Sequence, residues 1–157
     1  MDASNQTVPP VHRHQILVVD DEPDVRTFIA DVAEDIGHDV IQASSLTEVA
    51  AQLKISLPDL IVLDLVMPDR DGINCLEFLA RDEVTAHIPI IMISGFDKDM
   101  LSIARNLGAV LGLNMIGEMN KPFSADELTT CLMRIFDGRT FRDHDRSVDA
   151  CMQGAAK

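Results

Sequence analysis

From Gln15 onward, short apolar runs alternate with amphipathic stretches along the chain. Ile16-Leu17-Val18-Val19 is a β-branched run ending in acidic residues, the pattern of a buried parallel strand. Pro23 suits the first turn of a helix that continues through Val25, Phe28, Ile29, Val32 and Ile36, with Gly37 placed to stop it. Val40-Ile41 predicts a short strand, and a helix follows from Ser45 with Leu46, Val49, Ala50 and Leu53 on one face. Leu60–Leu63 repeats the apolar run and also ends in an aspartate, Asp64. A helix carrying Ile73, Leu76, Phe78 and Leu79 follows the Gly72 turn. Ile90–Ile93 leads to Ser94-Gly95, Lys98–Leu111 reads as a long helix, and Met115–Met119 as a strand. Ser124-Ala125-Asp126-Glu127 is a capping-box signature for a last helix, with Leu128, Leu132, Ile135 and Phe136 inward. Five strands alternating with five helices predict an α/β domain with a parallel sheet over residues 15–137.

The flanks differ. Residues 1–14 are polar, carry Pro9-Pro10 and show no periodicity, so they read as a flexible N-terminal arm. Residues 138–157 are polar and charge-balanced, as in a tail or a linker.

Composition narrows the function. Apolar residues make up 46% of the 157, enough for a core. The 26 acidic against 13 basic residues leave a formal charge of −13, which argues against nucleic-acid binding through a basic face. No apolar run approaches the roughly 20 residues that span a bilayer, and no secretory signal is evident. Cys75, Cys131 and Cys151 match neither a disulfide framework nor a zinc site, and Cys75 and Cys131 fall at inward helix positions, as inert thiols. A reduced, cytoplasmic setting without membrane contact is the expectation.

The polar residues at the strand ends carry the chemistry. Asp20, Asp21 and Glu22 end the first strand, Asp64 the third and Ser94 the fourth, while Lys121-Pro122 follows the fifth. Open parallel sheets bind ligands outside those carboxyl ends. Clustered carboxylates repel and call for a cation; oxygen-only donors favour Mg²⁺. A hydroxyl and an ammonium beside that cation suit an incoming phosphoryl group, with a carboxylate as nucleophile.

Four segments resemble the receiver domain of two-component response regulators. They are Ile16–Pro23, Ile61–Gly72, Ile91–Gly95 and Asn120–Phe123, and the resemblance covers about residues 14–137. It implies a flavodoxin-like, doubly wound five-stranded sheet of order 2-1-3-4-5. It also implies that Asp64 accepts a phosphoryl group from a histidine kinase or phosphotransfer protein. Asp21, Asp64 and the backbone carbonyl of Val66 would hold Mg²⁺, with Asp20 acting through water. Ser94 would bind a phosphoryl oxygen, Lys121 would pair with its charge, and the Lys121-Pro122 bond would be cis. An unidentified downstream protein would read the state, and a homodimer is compatible with the family.

Two departures stand out. The position three residues before the lysine, aromatic in most receivers, is Glu118. The stretch from Ser94 to Lys121 is also long, and residues 97–121 resemble receivers linked to cyclic-di-GMP phosphodiesterase domains of the EAL type. Alternatives are therefore a receiver fragment that regulates such a phosphodiesterase, or a haloacid-dehalogenase-like phosphatase. The latter normally has a second acid two residues past its nucleophile, where this chain has Val66. By the receiver resemblance, Val66 and Phe96 would flank the path of a hydrolytic water, and their apolar side chains predict slow self-dephosphorylation; a phosphoacceptor regulator rather than an enzyme is the expectation. Asp69, Asp71 and Gly72 read as turn chemistry, and the five histidines as surface residues.

Overall fold

The computed structural model describes residues 13–95 and 98–137. Most of the arm and the whole 138–157 segment lie outside the described residues, as does Phe96. The elements are β1 (Gln15–Val19), α1 (Pro23–Asp35), β2 (Asp39–Ala43), α2 (Leu46–Ile55), β3 (Leu60–Asp64) and α3 (Asp71–Ala80). They continue with α4 (Glu83–Ala86), β4 (Ile90–Ser94), α5 (Lys98–Leu111), β5 (Met115–Asn120) and α6 (Ala125–Phe136). The sheet is parallel throughout, in the order β2-β1-β3-β4-β5.

Strand alternation divides the interior into two layers. Leu17, Val19, Ile61, Leu63, Ile90 and Met92 face α2, α3 and α5, whereas Ile16, Val18, Leu60, Val62, Ile91 and Ile93 face α1 and α6. Both faces are covered, which is why the central strands are continuous apolar runs rather than alternating ones. Cys75 and Cys131 are buried, one in each layer, and burial pushes the Cys75 thiol up to about 12, so it stays protonated and inert.

Helix ends follow local chemistry. The Ser45 side chain accepts from the Glu48 N–H, Ser124 and Glu127 form the reciprocal capping box, and Gly37 takes φ 96° just past α1.

Four expectations are corrected. The α-helices among the described residues number six, because α4 is an added single turn, capped by Asp82 and too short to leave a periodic signature. Gly72 is not the turn: it lies inside the first turn of α3, and the left-handed residues are Asp69 and Arg70, both at φ 61°. Phe28, read with the apolar positions at helical spacing in α1, is exposed and lies beside Phe123. His38 is buried, its ring against Phe136 and near His14, and burial together with His14 lowers its pKa. His14 donates its backbone N–H to His38 Nδ1, which requires that nitrogen to be unprotonated.

One irregularity matters for the site. The β4–β5 register slips between Ile90, opposite Met115, and Ile91, opposite Gly117. The extra residue, Ile116, packs with the α1–α6 layer. This bulge re-phases β5, so Met119 enters the α1–α6 core and Glu118 turns toward α5.

Candidate functional site

Asp20 follows β1, Asp64 closes β3, Ser94 closes β4 and Lys121 follows β5, so parallel pairing brings all four to one edge. β1 and β3 are neighbours at the point where the strand order reverses, which leaves a crevice between their following loops. Asp20 is fully buried, and its Oδ1 accepts from the Glu22 N–H at 2.9 Å. Arg26 braces the same segment by donating to the Asp20 carbonyl at 2.8 Å. Asp64 is also buried, and its Oδ1 accepts from the Val66 N–H at 3.1 Å.

Lys121 reaches into this pair from the opposite side. Its Nζ donates to Asp20 Oδ2 at 2.7 Å and to Asp64 Oδ2 at 3.4 Å, and lies 3.8 Å from Glu22. The Lys121-Pro122 bond is cis, and the Lys121 N–H donates to the Ser94 carbonyl at 2.7 Å. Burial pushes the Asp64 carboxyl up to about 6, reinforced by Asp20 and opposed by Lys121. Burial alone would lower the Lys121 pKa, but its bond to Asp20 and the surrounding carboxylates raise it above the usual lysine value. An ammonium therefore neutralises part of an acidic cluster that remains over-supplied with negative charge.

The donor set fits a hard divalent cation. Asp20, Asp21 and Asp64 each present a carboxylate oxygen within 4.8 Å of the others, and Asp21 is the half-exposed member of the group. The Ser94 hydroxyl is buried without a hydrogen-bond partner, as expected of a group waiting for an oxygen that arrives with a ligand.

A family model described as the response regulator receiver domain matches residues 16–133. The chain belongs to that family. As receiver relatives, the phosphate regulon transcriptional regulatory protein PhoB of Pseudomonas aeruginosa is 35% identical over 120 residues, 76% of this chain and 50% of that protein. The alkaline phosphatase synthesis transcriptional regulatory protein PhoP of Bacillus subtilis is 37% identical over 114 residues, 73% of this chain and 45% of that protein. This chain thus spans about half the length of these relatives. Among solved structures, the receiver domain of the Francisella response regulator 1452 superposes with a TM-score of 0.63 at 31% identity, covering 82% of this chain and 99% of that one. Neither the phosphatase nor a phosphodiesterase-linked output draws support from these receiver matches.

The structure brings the sequence-predicted residues Asp20, Asp21, Asp64, Ser94 and Lys121 to one sheet edge, with Val66, two residues past Asp64, 54% exposed. Sequence reasoning missed the supports. Asp71 is not only a turn residue: its Oδ2 accepts from the Leu46 N–H at 3.1 Å, tying the start of α2 to the start of α3. Gly72 lets α3 approach the loop after Asp64, because a Cβ there would lie 2.4 Å from the Leu65 carbonyl oxygen. Sequence spacing reveals neither Arg26, whose guanidinium bonds a backbone carbonyl, nor Asp71, whose partner Leu46 lies 25 residues away.

Proposed function

We propose that Asp64 is the phosphoacceptor of this receiver and that a histidine kinase or a histidine phosphotransfer protein is its donor. The supporting observation is the buried Asp64 carboxylate, flanked by Asp20 and the Lys121 ammonium, with the unpartnered Ser94 hydroxyl at the same sheet edge. An Asp64 carboxylate oxygen attacks phosphorus in line. The new O–P bond forms as the P–N bond to the donor imidazole breaks, and that nitrogen leaves with the electron pair. Lys121 exchanges its contact with Asp64 for the charge of the phosphoryl oxygens, while keeping Asp20. Ser94 donates its hydroxyl to one of those oxygens.

Asp21, Asp64 and the Val66 carbonyl would hold Mg²⁺, with Asp20 acting through water; when bound, the ion neutralises charge on the phosphoryl oxygens. In this reading the chain is a cytoplasmic signalling switch rather than an enzyme with turnover. Among the described residues no helix is long and apolar enough to cross a membrane. A downstream protein reads the phosphorylated form, either on the monomer or on a homodimer. Val66, exposed and apolar beside the acceptor, cannot hydrogen-bond an attacking water, which supports slow self-dephosphorylation.

Incubation with phosphoramidate and Mg²⁺, followed by intact-mass measurement, tests this reading. One phosphoryl mass on the wild type, lost with EDTA and in Asp64→Asn, is the expected result. Equal labelling of Asp64→Asn would contradict it.

A further inference from the structure

Ser94 and Glu118 occupy the same face of two adjacent strands. The bulge in β5 turns Glu118 toward α5, and strand alternation puts Ser94 on the face of Met92, which packs in the α5 layer. Ser94 pairs with Asn120 and Met92 with Glu118, so Ser94 and Glu118 are diagonal neighbours on one face of the sheet.

Each residue carries one buried, unsatisfied polar atom. Glu118 Oε1 accepts from Arg105 of α5, whereas Glu118 Oε2 and Ser94 Oγ are both buried without a hydrogen-bond partner. The Glu118 side chain is 15% exposed and that of Arg105 51%, so the acid is held in the protein and the base reaches it from the surface. A mostly buried carboxylate with one unsatisfied oxygen is costly and persists here because Arg105 neutralises it. Chain connectivity then links the two groups: β4 ends at Ser94, and the next element is α5, which carries Arg105.

We infer that the Arg105–Glu118 pair restrains α5 on β5 in the unphosphorylated protein and is released when Ser94 engages a phosphoryl group at Asp64. The inference rests on the reading of Asp64 as phosphoacceptor and names how that site is regulated. Movement of Ser94 toward the phosphoryl oxygens draws on the strand end from which α5 departs, and Arg105 moves with the helix. Glu118 remains on β5 and gains water in place of the guanidinium. The coupling is reciprocal: whatever weakens the pair must favour the liganded state by the same factor that the ligand weakens the pair.

The test uses beryllofluoride with Mg²⁺ as a non-covalent phosphoryl mimic on the full chain. Binding is followed by calorimetry, since the chain has neither Trp nor Tyr. Arg105→Gln and Glu118→Gln should each tighten binding roughly three- to tenfold. The double variant should match either single one, because both remove the same contact. Arg105→Lys, which keeps the ion pair, should stay near wild type. Hydrogen exchange across residues 98–111 should be faster in the unliganded Gln variants and should rise in the wild type on binding. Arg105→Gln alters a surface side chain, so it serves even where Glu118→Gln folds poorly. Wild-type affinity in Arg105→Gln, or fully additive effects in the double variant, would overturn the restraint while leaving the acceptor reading intact. A wild type that binds no beryllofluoride would overturn the acceptor reading, and this inference with it.

Discussion

The Lys121 ammonium sits closer to Asp20 than to Asp64, at 2.7 Å against 3.4 Å. Asp20 is fully buried, and Lys121 supplies the counter-charge to its carboxylate. Truncation of the lysine strands a buried carboxylate, which typically costs about 3–5 kcal/mol. Lys121 retains some solvent contact, so the loss falls at or below the bottom of that range: Lys121→Met should cost about 2–3 kcal/mol in urea unfolding at neutral pH. Lys121→Arg should recover part of it.

The acidic cluster makes stability pH-dependent in the metal-free protein. Burial and Asp20 hold the Asp64 carboxyl at about 6 in the folded state against 3.8 as the ordinary value. A raised carboxyl favours folding when protonated, so that contribution is present below the unfolded value and is lost as pH rises through about 6. In EDTA, chemical denaturation from pH 4 to 7 should show this loss, of order 1–3 kcal/mol, and Asp64→Asn should flatten it.

Mg²⁺ should reverse the same repulsion. Binding to the folded protein alone adds about 2.7 kcal/mol at a hundred times Kd. The wild-type melting temperature should therefore climb with Mg²⁺, and Asp21→Ala should abolish the rise. An equal rise in Asp21→Ala would place the ion elsewhere.

Gly72 serves the acceptor loop through its missing side chain. A methyl group at this position would meet the Asp64 and Leu65 carbonyl oxygens at 2.7 and 2.4 Å, and both are backbone atoms that cannot swing away. Gly72→Ala should destabilise the fold by about 1–3 kcal/mol, the usual cost of overpacking, and slow phosphorylation as well. Calorimetric melting and phosphoramidate labelling measure the two effects separately.

The strands, their parallel order and the convergence of Asp20, Asp64, Ser94 and Lys121 are legible in sequence because each is local or follows from the βα alternation. Apolar runs mark the strands, and the residue after each run falls at the sheet edge. What stays hidden depends on contacts distant in sequence or on small backbone departures. The positive φ of Asp69 and Arg70 escapes notice because Gly72 looks like the turn residue, although packing against Leu65 is what requires glycine there. Burial of His38 depends on Phe136, almost a hundred residues away in sequence. Glu118 is visible as a departure, but its pairing with Arg105 follows from the bulge beside Gly117, for which the glycine is the sole local signal.

The central claim is that Asp64 carries the phosphoryl group, and chemical trapping at residue level tests it most directly. Borohydride reduces an aspartyl phosphate to homoserine, so peptide mapping after phosphoramidate treatment locates the acceptor. Conversion at Asp64, dependent on Mg²⁺, is the expected result. Conversion at Asp20, Asp21, Asp69 or Asp71 with Asp64 intact would contradict it.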